Sequence, residues 1–587
     1  MPALSRRSRA IALALAWTFA LASSSFAQGL RDPSSLPFDR DRLPIPDYQE
    51  DAAPPLSLDL PPLDALSETT PFDAGPGIIV RGFRIVGSSV FSDEELALAV
   101  APFLDRVLHA GRLPAVTDAL TRLYIDEGYV SSGAIVPDQT IENGVVEIHI
   151  IEGRVGRLEI VEGGRLHRRF VEPRLRRGLS VPLDIDALEE SLRLLQMDDR
   201  VARVDAVLRP SPVRGESVVR LEIEEATPWR TDLRVTNDLA PSLGGSRAIA
   251  EILHRNALGL GDTVSGSVSG ARGLFDLELA YSVPFTRWLT EFEMRGSVTR
   301  GEVVEGDFAD DGIRNDLESF GVALIQPLWR TVHDDVRFVF ELERRRSRLT
   351  FIEGAPLQLE LGPEEGERIR LSLLRLYLDW VHREPDQVFA VQLRSTIGLD
   401  AWNATTPNHS PPPVPGRFAD PTLPDAEFTS WLVQMQYARR IDTPLGVGEL
   451  ITRGDLQIAS GSLFSLESFA MGGASTVRGY HENAVVADNG TTGSIELRLP
   501  LLPVDARPHE LRVAPFFDTG FVWDDHEPNA RDFDRLFASL GLGLLYRYGG
   551  RFELNAYWGQ ALNKESTGDG DSLQDWGFHV EASVFVF

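Results

Sequence analysis

Apolar and polar residues alternate with a period of two along much of the chain after Pro228. In the segment 275–285 every second residue is apolar, and most residues between them are polar or small. Because successive side chains of a β-strand point to opposite faces, this pattern predicts strands with one apolar and one polar face. The same alternation recurs in the segments 336–342, 431–438 and 551–558.

Strands of this kind fit either a soluble antiparallel sandwich or a transmembrane barrel. The region 229–587 has 359 residues without a predicted helix, which is too long for one ordinary sandwich. Its polar faces are rich in Asp, Glu, Arg and Gln, which suits a water-filled lumen. At about 20–24 residues per strand and connection, the region holds about 15–18 strands, and bacterial barrels use even numbers. We therefore predict a transmembrane antiparallel β-barrel of about 16 strands.

A mixed pattern precedes the alternating region. Residues 78–87 predict a strand, and Ser92 with Glu95 has the S-x-x-E spacing of a capping box, which predicts a helix beginning there. A second helix is predicted for 115–127, ended by Gly128 in the position that glycine favours after a helix. Two further strands follow this helix.

The next stretch repeats this order of elements, with helices expected around 171–177 and at 185–195. Strand, helix, helix, strand, strand in duplicate predicts two small α/β domains in tandem. We place them at 77–153 and 154–227, ahead of a barrel at 228–587.

The N-terminus predicts export. Residues 1–27 combine an arginine-rich start, a short apolar stretch at 11–22 and small residues before Ala27, as in a secretory signal peptide. The apolar stretch is shorter than the roughly 20 residues of a membrane-spanning helix. Residues 28–76 are rich in proline, which predicts an extended linker that can carry short docked pieces.

Composition excludes several classes of function. Asp and Glu total 87 against 58 Lys and Arg, for a net charge of −29, which argues against nucleic-acid binding. Cysteine is absent, and the single lysine, Lys564, follows Asn563 rather than the glycine of a Walker A motif. The chain has neither H-E-x-x-H nor G-x-S-x-G. We therefore predict no catalytic residue, no metal ligand and no cofactor.

Four motifs occur in order along the chain: a segment at 123–153, NALGLGD at 256–262, GGASTVRGY at 472–480 and FFDTG at 516–520. Together they resemble the motifs of two-partner secretion transporters, the TpsB group within the BamA-like superfamily. The first segment is similar to the first POTRA (polypeptide-transport-associated) domain of that group. Its matching residues, the candidate partner-recognition motif, are Tyr124, Gly128, Tyr129, Pro137 and Gln139.

This resemblance implies an outer-membrane pore, with two POTRA domains in the periplasm, that recognises a partner exoprotein and translocates it to the cell surface without ATP. The implied partner is a large β-helical exoprotein of the TpsA type, which leaves open a haemolysin, an adhesin or another exoprotein, and no enzymatic activity is implied. A barrel-assembly insertase of the same superfamily is the main alternative, and a solute porin a further one. Pro33 and Pro37 disfavour the N-terminal plug helix that the group often carries.

The resemblance also implies a latch inside the pore. It places Arg478 on a long loop that folds back into the barrel, and Asp518 on a strand with its side chain inward. Strand alternation supports the second point, because Asp518 shares a face with Ala514 and Phe516, while Phe517 lies on the other face. Since a guanidinium matches a carboxylate, we hypothesise that Arg478 and Asp518 hold the loop. The predicted latch residues are Val477, Arg478, Gly479, Tyr480 and Asp518.

Overall fold

The structure is a computed structural model. The described residues are 57–59, 77–161, 164–306, 309–351, 355–356, 368–406, 424–503, 508–524, 535–563 and 572–586. The predicted signal peptide, the proline positions 33 and 37, and most of the predicted linker lie outside the described residues. The chain divides into two compact units, of which one consists mainly of Ala52–Pro228 and the other begins at Trp229.

The first half of the N-terminal unit contains two sheets and two helices. The elements are β2 (Gly77–Val80), β3 (Gly82–Val86), α1 (Asp93–Val100), β4 (Arg106–His109), α2 (Leu113–Asp126), β5 (Gly133–Ile135) and β6 (Val145–Ile151). Strand β3 pairs in parallel with the central strand β6, which pairs antiparallel with β5. Strands β2 and β4 form a separate antiparallel pair.

Local sequence explains both helices. Ser92 accepts a hydrogen bond from the Glu95 N–H, and Glu95 reaches back to the N–H of Ser92, which confirms the predicted capping box. Helix α2 has a proline in its first turn. It ends before Gly128, whose φ of +87° is the left-handed conformation expected after a helix. The apolar faces of both helices pack with β6 into one core around Leu96, Leu120 and Ile148.

Two details of this half differ from the sequence prediction. The single strand expected at 78–87 is broken at Arg81, where the N–H groups of Arg81 and Gly82 both reach the carbonyl oxygen of Gly144. Strand β4 was not predicted, because an alternation of four residues is too short to stand out between two helices.

The second half follows the predicted order of elements. Its elements are β7 (Arg154–Val161), α3 (Arg168–Leu175), α4 (Ile185–Gln196), β8 (Val201–Pro210) and β9 (Glu216–Glu225). The sheet order is β1-β8-β9-β7, where β1 (Ser57–Asp59) comes from the predicted linker and pairs in parallel with β8. A short piece of the linker therefore covers one edge of this sheet.

The second unit is a closed antiparallel barrel of sixteen long strands, in which the first strand pairs with the last. This confirms the predicted fold and strand number. The remaining strands are β10 (Trp229–Thr236), β11 (Arg247–Arg255), β12 (Thr263–Gly270), β13 (Leu274–Pro284), β14 (Glu291–Glu302), β15 (Arg314–Arg330), β16 (Asp334–Phe351), β17 (Ala355–Pro356), β18 (Arg368–Glu384), β19 (Gln387–Gly398), β20 (Thr429–Thr443), β21 (Gly446–Ala459), β22 (Phe469–Met471), β23 (Val485–Ala487), β24 (Asn489–Pro500), β25 (His509–Trp523), β26 (Arg535–Tyr548), β27 (Phe552–Ala561) and β28 (Phe578–Phe585). Strand β17 pairs with the end of β16, and β22 pairs with β23 apart from the barrel wall.

The two faces of the barrel wall have different chemistry. Large apolar side chains such as Leu279, Phe320 and Trp431 are half exposed on the outward face, whereas Asp518 and Glu496 on the inward face are buried. This is the arrangement of a barrel that faces lipid outside and carries polar groups inside. In the part of the chain that the structure describes, no helix is long and apolar enough to cross a membrane.

Candidate functional site: a loop folded into the barrel

The predicted latch lies on the segment between β21 and β24, residues 460–488, which we call the lumen loop. It carries the short hairpin of β22 and β23, with the GGASTVRGY motif between these strands. Met471 and Val477 of this loop are fully buried against Val522 and Phe537, which project from the inward faces of β25 and β26. The lumen loop is therefore packed against the inside of the barrel wall.

Arg478 and Asp518 are in direct contact. The guanidinium donates from Nε to Oδ2 of Asp518 at 2.8 Å and from Nη2 to Oδ1 at 2.9 Å. The backbone N–H of Arg478 donates to Oδ2 as well, at 3.0 Å. Arg478 is 5% exposed and Asp518 is fully buried. The pair is thus a bidentate, charge-assisted contact shielded from bulk water.

Other inward residues of the wall complete the arginine pocket. Nη1 of Arg478 donates to Glu496, and Nη2 donates to Ser494 at 3.2 Å. Ser494 in turn donates to Asp518 at 2.7 Å. The guanidinium carbon lies 3.6 Å from the centre of the Phe516 ring, a cation–π contact. One loop arginine is therefore held by two carboxylates and an aromatic face, and only Asp518 among these partners was predicted from the sequence.

Gly479 allows the loop to approach the wall closely. Its φ is +90°, and a Cβ added there would lie 2.7 Å from the carbonyl oxygen of Gly559. A Cβ on Gly559 would in turn lie 2.8 Å from the backbone of Arg478. The N–H of Gly479 donates to Nε2 of His579 at 3.2 Å. Glycine is needed here for both its backbone conformation and the space it leaves.

Tyr480 fixes the last position of the GGASTVRGY motif against the barrel wall. The Tyr480 ring stacks on Phe537 with centroids 4.3 Å apart, and its hydroxyl lies within donating distance of two carbonyl oxygens, those of Ala538 at 3.0 Å and Asn563 at 3.1 Å. The structure therefore brings all five predicted latch residues into one buried cluster, while their role in transport remains a prediction.

A second ionic cluster holds the same loop elsewhere on the wall. Nη2 of Arg375 donates to both carboxylate oxygens of Glu467, at 2.8 and 3.1 Å, and Nη1 of Arg345 donates to Oε1 at 2.9 Å. Glu343 balances the charge, with an oxygen 3.0 Å from Nε of Arg345 and another 3.3 Å from Nη2 of Arg375. We call this cluster the second anchor. It joins the loop to β16 and β18, whereas Arg478 joins it to β24 and β25.

The second anchor was not predicted from the sequence. Glu467 lies in a loop, where no periodicity shows the direction of a side chain. The available signal was on the strands, because Glu343, Arg345 and Arg375 are charged residues on inward faces that need partners.

The candidate recognition motif is largely internal to the first α/β module. Tyr124 is fully buried, and its hydroxyl lies within donating distance of Ser88 at 2.8 Å and of Glu152 at 3.2 Å. Burial raises the pKa of Tyr124 to about 12. Tyr129 packs edge-on against the Tyr124 ring, with centroids 6.0 Å apart. These tyrosines shape the module from within.

Gln139 forms contacts inside the first module, whereas Gly128 joins this module to the second half of the unit. The Gln139 amide donates to the carbonyl oxygen of Glu147 and accepts from its N–H, both at 2.7 Å. It therefore satisfies the two backbone groups of Glu147 in β6 as a neighbouring strand would. It also reaches the carbonyl oxygen of Pro137 at 3.3 Å. The carbonyl oxygen of Gly128 accepts from the N–H of Ile185 in the second half of the unit. Among the described residues, no group of three or more His, Asp or Glu is placed to hold a metal ion.

Comparison with known proteins agrees with this architecture. The model of the haemolysin secretion/activation protein family ShlB/FhaC/HecB matches residues 215–546, and that of the ShlB-type POTRA domain matches residues 78–153. The outer membrane transporter CdiB of Escherichia coli is 24% identical over 432 residues, which cover 72% of this chain and 69% of CdiB. The heme/hemopexin transporter protein HuxB of Haemophilus influenzae (strain 86-028NP) is 21% identical over 491 residues, 82% of this chain and 83% of HuxB.

A solved structure of CdiB from Escherichia coli has the same fold. It aligns with a TM-score of 0.63 at 21% identity, over 90% of this chain and 94% of that chain. A closed sixteen-strand barrel preceded by a POTRA domain defines an outer-membrane transporter whose N-terminal module lies in the periplasm. The chain belongs to the haemolysin secretion/activation family ShlB/FhaC/HecB, because that family model matches more than half of its length. The predicted two-partner secretion family is confirmed, and the insertase alternative has less support.

Proposed function

We propose that this chain secretes a partner exoprotein from the periplasm through its barrel, and that the lumen loop must move to let the partner pass. The observation that carries this proposal is the burial of Arg478 between Asp518 and Glu496 on the inward face of the wall. A loop held inside a pore by ionic contacts is a closed state that can be released without breaking the wall. Wall strands keep their own ladder of backbone hydrogen bonds when the loop leaves.

The loop carries a positive charge at one anchor and a negative charge at the other. We therefore infer that the loop is released from the two anchors in separate steps. At one, a loop cation sits among wall carboxylates; at the other, the loop anion Glu467 sits between Arg345 and Arg375. Breaking either buried cluster by removing one partner costs about 3–5 kcal/mol, because it leaves a charge without compensation. We infer that a translocating chain releases the anchors by offering its own polar groups in their place.

Recognition of the partner is assigned to the N-terminal unit. Strand β7 ends one sheet, and β3 and β5 end the other, so each sheet offers an edge to which an extended segment can add. The edge beside β8 is covered by β1 of the same chain. Tyr124, Tyr129 and Gln139 contribute by shaping the module, since their contacts are internal. We place the second POTRA domain at 154–227 because its elements follow the same order.

The partner is proposed to be a β-helical exoprotein of the TpsA type, as the sequence resemblance implies. The sequence contains no Walker A motif, so we assign the driving force to folding of the partner outside the cell. No enzymatic activity is assigned, because the sequence has no recognisable nucleophile motif.

Comparative mass spectrometry of surface and periplasmic fractions from a deletion strain tests this function. Loss of one large exoprotein from the surface, restored by the wild-type chain, is the expected result. General depletion of outer-membrane barrels would instead indicate an insertase. A defect confined to uptake of a small solute would indicate a porin.

A further inference from the structure

The barrel closes where β10 pairs with β28, and we call this pair of strands the seam. Its ladder joins Asp232–Thr236 to Glu581–Phe585 in five residue pairs, whereas eight pairs join β10 to β11 and seven join β27 to β28. Strand β28 begins at Phe578, three residues before the first residue that pairs with β10. The end of the seam where β10 ends is therefore closed largely by contacts outside the regular ladder.

Asn237, the residue after β10, continues the seam with its side chain. Its backbone N–H donates to the carbonyl oxygen of Val580 at 3.1 Å. Its Oδ1 accepts from the N–H of Val580 at 2.6 Å, and its Nδ2 donates to the carbonyl oxygen of Phe578 at 2.8 Å. Asn237 is buried, so its amide takes the place of the missing ladder residues away from water.

Gln574 closes the same end of the seam from the side of β28. It lies in the short 3₁₀ helix Leu573–Trp576, and its side chain is 1% exposed. Its Nε2 donates to the carbonyl oxygens of Asn237 at 2.6 Å and Leu239 at 2.7 Å. The Gln574 side chain therefore fastens the segment after β10 to the segment before β28.

The same amide also contacts the lumen loop. Oε1 of Gln574 accepts from the backbone N–H of Glu482 at 2.9 Å. The neighbouring residue His481 contacts the carboxylate of Asp575, the next residue of the short helix. His481 and Glu482 directly follow the GGASTVRGY motif, so the short helix holds the loop beside the latch.

A glutamine suits this double contact because its amide carries donors and an acceptor in one plane. The donors face the seam and the acceptor faces the lumen loop. If the loop leaves, Oε1 loses its partner in a buried position, which is unfavourable, and the side chain turns away from the seam. The carbonyl oxygens of Asn237 and Leu239 then lose their donor as well. The effect is reciprocal, because opening the seam withdraws the acceptor from the loop.

We propose that Gln574 is a positioning residue that couples docking of the lumen loop to closure of the seam. Release of the loop loosens the end of the seam where β10 ends, and opening of that end favours release of the loop. This coupling rests on the proposed function in one respect, namely that the lumen loop moves.

Open probability in planar bilayers tests the coupling from the side of the seam. The test variant is N237L, which removes the two side-chain bonds that Asn237 makes to the last strand. The matched control is N315L, which removes the side-chain bond between Asn315 and Ser347 elsewhere in the wall. We expect N237L to raise the open probability about threefold or more, as for the loss of one buried hydrogen bond, and N315L to leave it unchanged.

Hydrogen exchange tests the coupling from the side of the loop. The variant E467Q changes a loop residue that contacts β16 and β18 rather than the seam. We expect about threefold or faster exchange in E467Q over the segment 578–582, which contains the Val580 N–H bonded to Asn237. E510Q, on β25, should exchange as the wild-type chain does. In a Q574L chain, the added E467Q change should have no further effect on this segment, because the linking amide is absent.

Three results would overturn the coupling. The first is equal open probability in N237L and N315L, and the second is equal exchange of the segment 578–582 in E467Q and E510Q. The third is the same acceleration by E467Q with and without Q574L, which would show that the seam responds without Gln574. Any of these, with R478A still opening the channel, would leave the gating role of the lumen loop intact. An unchanged open probability in R478A would contradict the proposed function, and the coupling with it.

Discussion

The carboxylate of Asp518 accepts three hydrogen bonds from the single residue Arg478, two from its guanidinium and one from its backbone N–H. The side-chain contact depends on the shape of the guanidinium, and the backbone contact depends on where the loop runs. Loop position and charge pairing are therefore coupled at one carboxylate. Removing the arginine side chain would weaken both, because Asp518 and Glu496 would be left buried and close together.

We predict that R478A assembles in the outer membrane but exports poorly. Wall pairing does not involve Arg478, so the barrel should still migrate faster on a gel before heating than after heating. Loss of the buried pair should destabilise the docked loop by about 3 kcal/mol or more. Secreted partner should fall by about tenfold or more, whereas single-channel conductance should rise.

The R478K variant tests whether the positive charge of Arg478 is sufficient or whether the shape of its guanidinium is also needed. A lysine keeps the positive charge but cannot make the paired contact with Asp518, so we expect little rescue of export. The control is R551A, at an exposed turn of the barrel. Normal export by R478A would refute the latch, and full activity of R478K would show that charge alone is sufficient.

Strand periodicity is the reason that part of this site was predictable. The inward direction of Asp518 followed from alternation with Phe517, whereas the loop contact of Arg478 came from the resemblance to a transporter family. Glu467 was missed because loops have no periodicity. Strand β1 was missed because three residues in a proline-rich stretch give no usable pattern, although the linker as a whole was recognised.

We predict that G479A impairs export even though it retains Arg478. Alanine at a φ of +90° is strained by about 1–2 kcal/mol, and its methyl group would lie 2.7 Å from the carbonyl oxygen of Gly559. The loop must then withdraw, which separates Arg478 from Asp518. Partner secretion and channel conductance should both change as in R478A.

G461A is the matched control for this prediction. Gly461 lies in the same loop, and an added Cβ would have no heavy atom within 4 Å. It should secrete normally. Equal secretion by G479A and G461A would show that the close approach to Gly559 is not needed.

The buried hydroxyl of Tyr124 predicts a pH dependence of the N-terminal unit. Its pKa is raised to about 12 in the folded chain, against about 10 in an unfolded one. Between these values the unfolded chain loses the proton while the folded chain keeps it, so stability should fall as the pH rises from 10 to 12. At neutral pH, Y124F should lower stability by about 1 kcal/mol through the lost hydrogen bonds.

Urea unfolding of the full-length protein, followed by helical circular dichroism, measures this effect. The difference in stability between the wild-type chain and Y124F should shrink above pH 10, and Y548F, at an exposed rim position, should behave as wild type. A constant difference up to pH 12 would contradict the assigned shift.

Deleting residues 78–153 should leave a heat-modifiable barrel and abolish export. The barrel closes through β10 and β28 without these residues, whereas partner selection is assigned to the removed module. Surface detection of both the barrel and the partner separates the two effects. Undiminished secretion by the deletion variant would exclude the module from recognition.

The second anchor predicts coupling between two distant contacts of one loop. E467Q keeps the size of the side chain but removes the charge that Arg345 and Arg375 share, so the loop should be looser and the channel more often open. If both anchors hold the same docked state, R478A should open the channel less in E467Q than in the wild-type chain, because the loop is already partly released. The four proteins of this cycle can be compared by open probability in planar bilayers.

E510Q, on β25 near a turn, is the control for loss of one carboxylate outside either anchor. Strictly additive free energies would mean that the two anchors hold independent segments of the loop. An unchanged open probability in E467Q would show that Glu467 does not help to hold the channel closed.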